Sequence, residues 1–177
     1  MKLFSKESEE VYYSNDDISY FSNEEIDYLK QVANQNPRKR VRLCTHRNKS
    51  DSLHEMFIVH MRDCYVPPHK HLGKAESMSI LEGEVDVVLF EEDGRIKNVI
   101  HMGDQASGKI FYQRISEPTY HSLIIRTEYL VFHEITEGPF IREKTIFAPW
   151  APKENSDQVK IFTEGIEMKI NQARNHE

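Results

Sequence analysis

The chain has 177 residues, 38% apolar and 29% charged, with 23 Lys and Arg against 29 Asp and Glu for a net charge of −6. This length suits one domain with a buried core, and the acidic balance excludes a nucleic-acid binder working through a broad basic surface. No apolar run reaches the roughly 20 residues of a membrane span. The opening Met1-Lys2-Leu3-Phe4-Ser5-Lys6 turns polar too soon for a secretory leader, and Cys44 and Cys64 follow no CxxC spacing. These features lead to the expectation of a cytoplasmic protein with neither membrane nor nucleic-acid partners.

Ser22, with Glu25 three positions later, forms a capping box and predicts a helix over about 22–35. Ile26, Leu29, Val32 and Ala33 fall on one face of it, and Pro37 lies just beyond its end. Residues 1–37 therefore read as a helical extension packed on the main fold. From Lys39 to Ile135 the texture is that of strands: Lys39–Cys44, Glu55–Met61, Ser77–Phe90, Arg95–Met102, Ile110–Ile115, Ser122–Ile125 and Tyr129–Ile135. Asp93-Gly94, Gly103-Asp104, Gly108, Pro118 and Gly138-Pro139 punctuate them. Short strands at this spacing, with no helices between them, predict an all-β sandwich or closed barrel over residues 38–152. Val159, Phe162, Ile166 and Ile170 form an apolar stripe that predicts a C-terminal helix within 153–177.

The chemistry concentrates in Pro67-Pro68-His69-Lys70-His71. The prolines fix φ and bias the segment towards extended backbone, where side chains two apart point the same way. His69 and His71 then present two imidazoles to one point. Gly73 permits a bend that resets the alternation, so that Glu76 rejoins the histidines, and Met78 and Ile80 continue that face into an apolar interior.

Arg38, Arg40, Arg42, Cys44 and His46 share one strand parity, opposite Val41, Leu43 and Thr45. Such a face is either a solvated outer surface or, at a barrel mouth, a site where Arg40 and Arg42 hold a carboxylate or phosphate in bidentate fashion. Tyr65 is a further candidate for contact with a substrate. His54-Glu55 and His133-Glu134 are candidates for orienting ligand imidazoles, equally explained as ordinary strand positions. Cys44 suits a small buried hydrophobe, and Trp150 a clasp sealing the barrel edge. No Walker loop, GxGxxG, GxSxG or zinc-finger pattern is present.

The spacing His69-x-His71, four residues, Glu76, six residues, Gly83 resembles the first cupin motif, with Asp63-Cys64 where that motif opens on glycine. The second cupin motif supplies one more histidine, and His121, before Ser122-Leu123-Ile124-Ile125, matches it with Ser116 and Pro118 in place of the usual proline and glycine. Arg40-x-Arg42-x-Cys44-x-His46, Leu53-His54-Glu55-Met56, Tyr65–His71, Leu81-Glu82-Gly83-Glu84, Glu137-Gly138-Pro139-Phe140 and Phe147–Pro152 occur in that order. Together they resemble the WbuC-type cupin-fold metalloproteins of bacterial O-antigen and polysaccharide gene clusters, over roughly Arg38 to Pro152.

The resemblance implies a cupin (double-stranded β-helix, or jelly-roll) barrel with flanking N- and C-terminal helices. It implies one divalent transition-metal ion on His69, His71, Glu76 and His121, and a homodimer. The ligand types do not separate iron, manganese, nickel and zinc. The expected function is a mononuclear metal-binding cupin, acting as an enzyme on a small anionic or sugar-nucleotide substrate in surface-polysaccharide metabolism. The alternative is a non-catalytic sugar- or metabolite-binding cupin with a structural metal.

Overall fold

The structure is a computed structural model and describes residues 4–174; Met1 to Leu3 of the N-terminal extension and Asn175 to Glu177 of the C-terminal one lie outside the described residues. The described residues form twelve strands and two α-helices: β1 (Ser5–Lys6), β2 (Val11–Tyr13), α1 (Asn23–Gln35), β3 (Arg40–Cys44), β4 (Leu53–Met61), β5 (His69–His71), β6 (Glu76–Glu82), β7 (Glu84–Phe90), β8 (Ile96–Gly103), β9 (Tyr112–Ile115), β10 (Tyr120–Ile125), β11 (Tyr129–Glu137), β12 (Thr145–Phe147) and α2 (Gln158–Arg174). They make a seven-stranded sheet in the order β1-β2-β3-β4-β11-β6-β9 and a five-stranded sheet in the order β12-β5-β10-β7-β8. All pairings among these strands are antiparallel except β2 with β3. This is the all-β jelly-roll barrel of the cupin fold, with a helix on each side.

The core shows how the sheets face each other. Met56, Ile58, Met78, Ile80 and Phe132 of the larger sheet pack with Val85, Val87, Met102, Leu123 and Ile125 of the smaller one. The alternate residues point outwards and are also buried. Val41, Leu43, Val59 and Val131 pack under Leu29 and Ala33 of α1. Val88, Phe90 and Ile124 pack under Ile166 and Ile170 of α2. With both faces covered, β7 reads Glu-Val-Asp-Val-Val-Leu-Phe instead of alternating cleanly.

The capping box forms as the sequence specifies: Ser22 caps α1 and its main-chain N–H donates to Glu25 Oε2 at 2.8 Å. Three features differ from the sequence reading. The N-terminal extension, read as helical, also contributes β1 and β2 to the larger sheet. The single strand read over Ser77–Phe90 is two, β6 and β7, because Gly83 turns the chain at φ +89°; a Cβ there would collide with the main-chain carbonyl of Tyr129. The short strand β12 was not expected; it pairs with β5 through Thr145↔His71 and Phe147↔His69. Trp150 packs on Phe90, Tyr120 and Phe162 over the outer face of the smaller sheet, and its Nε1 donates to the Glu92 carbonyl at 3.0 Å.

Candidate metal centre

Three histidines converge at one end of the barrel. His69 and His71 occupy the two ends of β5, on the same side of the strand, with ring centroids 5.0 Å apart. β10 runs antiparallel to β5 with His121 directly opposite His69, so those two rings come to 4.5 Å. One potential ligand atom from each of His69, His71 and His121 lies within 4.8 Å of the others. These three histidines could hold a metal ion.

Glu76 arrives from the opposite sheet. Gly73, at φ +66°, bends the chain after β5, and Glu76 opens β6 with its carboxylate between two of the rings. Oε2 lies 3.0 Å from His71 Nε2, and Oε1 lies 2.8 Å from His121 Nε2. Burial opposes ionisation of Glu76, but its bonds to His121 and His71 outweigh burial and hold the carboxyl well below its usual range. Burial likewise disfavours charge on His121, and the hydrogen bond and charge of Glu76 reverse this, leaving its pKa raised. Desolvation of the half-buried His69, with the other two rings beside it, pushes it down to about 3, so it is neutral.

The other edge of each ring is fixed. Nδ1 of His69 lies 2.8 Å from the Pro67 carbonyl, Nδ1 of His121 lies 2.9 Å from the Thr119 carbonyl, and Nδ1 of His71 lies 3.1 Å from Thr145 Oγ1. A carbonyl only accepts, so Nδ1 of His69 and of His121 carries the proton and Nε2 of the neutral ring carries the lone pair. That lone pair on His121 would face a carboxylate oxygen 2.8 Å away, acceptor against acceptor. A proton relieves this repulsion, and so does a cation. Orientation of an imidazole by an acceptor on its far nitrogen is the usual outer support of a metal-ligating histidine. The three histidines therefore fit a metal ion, with the Glu76 carboxylate beside two of them.

The remaining candidates separate. Arg42 lies on the strand face that carries Cys44 into the barrel core, while Val41 and Leu43 face α1. Its charge acts on Glu134, Lys74 and His60. Arg40 is committed elsewhere: its Nε donates to Glu10 Oε2 at 2.9 Å, and Glu154 lies at 3.5 Å. Tyr65 donates its hydroxyl to the Pro152 carbonyl at 3.0 Å and lines a groove of about 550 Å³ beneath α2. His54 stacks on His46 and His133 on Phe57, so neither orients the three converging rings. Cys44 is a buried core residue whose thiol burial pushes up to about 11.

Sequence reasoning did not single out Thr145, Lys74 or Gln113, and it weighed Glu134 only as a partner for imidazoles. The signal for Glu134 was its parity with Phe132 and Leu130, which places it inside. Burial raises Glu134 to about 7, and the negative charge of Glu76 adds to that, against Arg42 and Lys74.

Residues 21–102 match a family model described as a domain of unknown function, DUF6016. No curated protein matches the chain. Among solved structures, the chain is similar to the Lactobacillus farciminis oxalate decarboxylase formate complex at 14% identity and a TM-score of 0.44, over 55% of this chain and 27% of that one. It is similar to Bacillus subtilis oxalate decarboxylase at 19% identity and a TM-score of 0.45, over 55% of this chain and 24% of that one. A Shewanella oneidensis protein is similar at 8% identity and a TM-score of 0.47, over 58% of this chain and 66% of that one. The likeness thus spans about a quarter of the decarboxylase chains. No helix among the described residues is long and apolar enough to cross a membrane.

Proposed function

We propose that the chain is a mononuclear metal-binding cupin of the WbuC type, acting as an enzyme on a small anionic substrate such as those of surface-polysaccharide metabolism. His69, His71, Glu76 and His121 hold one divalent first-row ion. The observation that carries this reading is the opposition of His121 Nε2 and Glu76 Oε1 at 2.8 Å while the far nitrogen of the ring donates to a carbonyl. When bound, the ion supplies a Lewis acid at the inner end of the barrel. The four residues fix its position; the acceptors at Pro67, Thr119 and Thr145 fix the rings; and Arg42 and Lys74 draw an anion towards that end. Four protein ligands on a six-coordinate ion leave two positions for a substrate, whereas tetrahedral zinc would be closed by them. The charged interior beside the site supports the open arrangement over a purely structural metal.

The test is reconstitution of metal-free protein with manganese, iron(II), nickel and zinc in turn, followed by metal analysis and a screen of sugar nucleotides and small acids. One equivalent of metal per chain and turnover of at least one acidic compound are expected. His71→Ala should lose stoichiometric metal while remaining folded. Full metal content in that folded variant would refute the centre, and metal loading with no turnover would favour the binding-module alternative.

A further inference from the structure

The inner face of the seven-stranded sheet carries polar groups that the metal centre does not use. Register sets them in rows: His54, Thr136 and Glu76 in one, then Met56, Glu134, Met78 and Gln113 in the next. Glu134 thus sits one row from Glu76, between two methionines. Arg42 lies on β3 opposite Ile58, on the strand face that carries Cys44 into the core, and Lys74 is a half-buried residue of the bend two positions before Glu76.

Both cations act electrostatically on Glu134, yet among the described residues neither makes an ion pair, while Arg38, Arg40, Arg126 and Arg174 all do. Among the described residues Gln113 Oε1 is buried without a hydrogen-bond partner. The interior therefore offers two unpaired cations, a carboxyl group and an amide acceptor lacking a donor. Buried or half-buried groups of this kind need partners.

We propose that Arg42, Lys74, Gln113 and Glu134 form a ligand subsite beside the metal centre that takes small hydroxycarboxylates. This rests on the metal-centre reading above and names its substrate class. The ligand's carboxylate pairs with Arg42 and Lys74, and its hydroxyls donate to Glu134 and Gln113 Oε1. A phosphate dianion meets the first requirement but sets a second negative charge against Glu134 and Glu76 and supplies fewer donors.

The experiment is calorimetric titration of D-glycerate, acetate and inorganic phosphate into the manganese-loaded and the chelator-treated protein, with metal content and thermal unfolding measured on every sample. D-glycerate should bind at least about tenfold tighter than acetate or phosphate, the scale of one or two charge-assisted hydrogen bonds. Arg42→Gln should weaken D-glycerate by at least about tenfold. Glu134→Gln, which keeps shape but not charge, should erase most of the preference over acetate. Arg47→Gln, on an exposed residue paired with Asp17 outside the barrel, should change nothing.

D-glycerate binding no tighter than acetate, phosphate binding tighter, or full affinity in folded Arg42→Gln would each overturn the subsite. Should Arg42→Gln unfold, Glu134→Gln decides. Metal-loaded protein that ignores D-glycerate overturns the subsite and leaves the metal centre standing. Protein that takes no metal overturns the centre, and D-glycerate binding to it then decides the subsite alone.

Discussion

Glu134 is a carboxyl group inside a barrel, held near pH 7 by burial and by the charge on Glu76. Its folded-state pKa lies above the unfolded value of about 4.3. It is therefore neutral at no cost below pH 4, and ionising it burdens the fold increasingly as pH rises from about 4 to 7. Glu134→Gln should stabilise the metal-free protein at pH 8 by up to about 3 kcal/mol and leave it unchanged at pH 4, by urea unfolding at both values. Equal effects at the two pH values would contradict the buried placement. His60 behaves in the opposite sense: burial and Arg42 push it down to about 3, so stability is lost as pH falls from about 6.5 towards 3. At this scale the sequence was most legible where local geometry decides. Two prolines and strand parity set His69 and His71 on one side of the chain, and the Gly73 bend returns Glu76 to them. It is the cupin-motif spacing, beyond local geometry, that marks them as candidate ligands over surface loop histidines. Parity leaves Arg42 open between surface and interior, because it does not say which face of β3 meets the helix.

The turns and edges of the strands show where local reading runs out. A run of apolar residues from Ser77 to Phe90 looks like one strand, and only the contact of Gly83 with a distant strand end shows the break. Gly83→Ala should destabilise the protein by at least about 2 kcal/mol, since positive φ and a main-chain collision add. Gly108→Ala, at φ +70° with open space around it, should cost about 1 kcal/mol. Urea unfolding of both variants checks the contrast, and equal losses would contradict the close approach of Tyr129. β12 lay outside sequence reasoning because its three residues are specified by their partner β5 rather than by their own pattern. The two helices were legible because each carries an apolar stripe, and α1 a capping box.

The whole molecule is a barrel closed from both sides, and the α2 side has a charged latch. Asp86, 3% exposed at its side chain, faces out from β7 and meets Arg126 at 2.6 Å, Arg174 at 2.9 Å and His101 at 2.6 Å. Removing it leaves Arg126 with Glu167, at 3.0 Å, as its remaining partner and leaves Arg174 without a carboxylate. Asp86→Ala should destabilise the fold by about 2–4 kcal/mol and speed hydrogen exchange along Gln158–Arg174. Slow exchange throughout α2 in that variant would show that apolar packing alone holds the helix. In the proposed centre the barrel's part is to bring β5, β6 and β10, from two sheets, to one point. The most direct test of this account is anomalous diffraction from crystals grown with manganese. One peak is predicted, within about 2.0–2.3 Å of a nitrogen of each of His69, His71 and His121 and an oxygen of Glu76. Fully loaded crystals with the metal elsewhere, and these four side chains bonded only to one another, would contradict it.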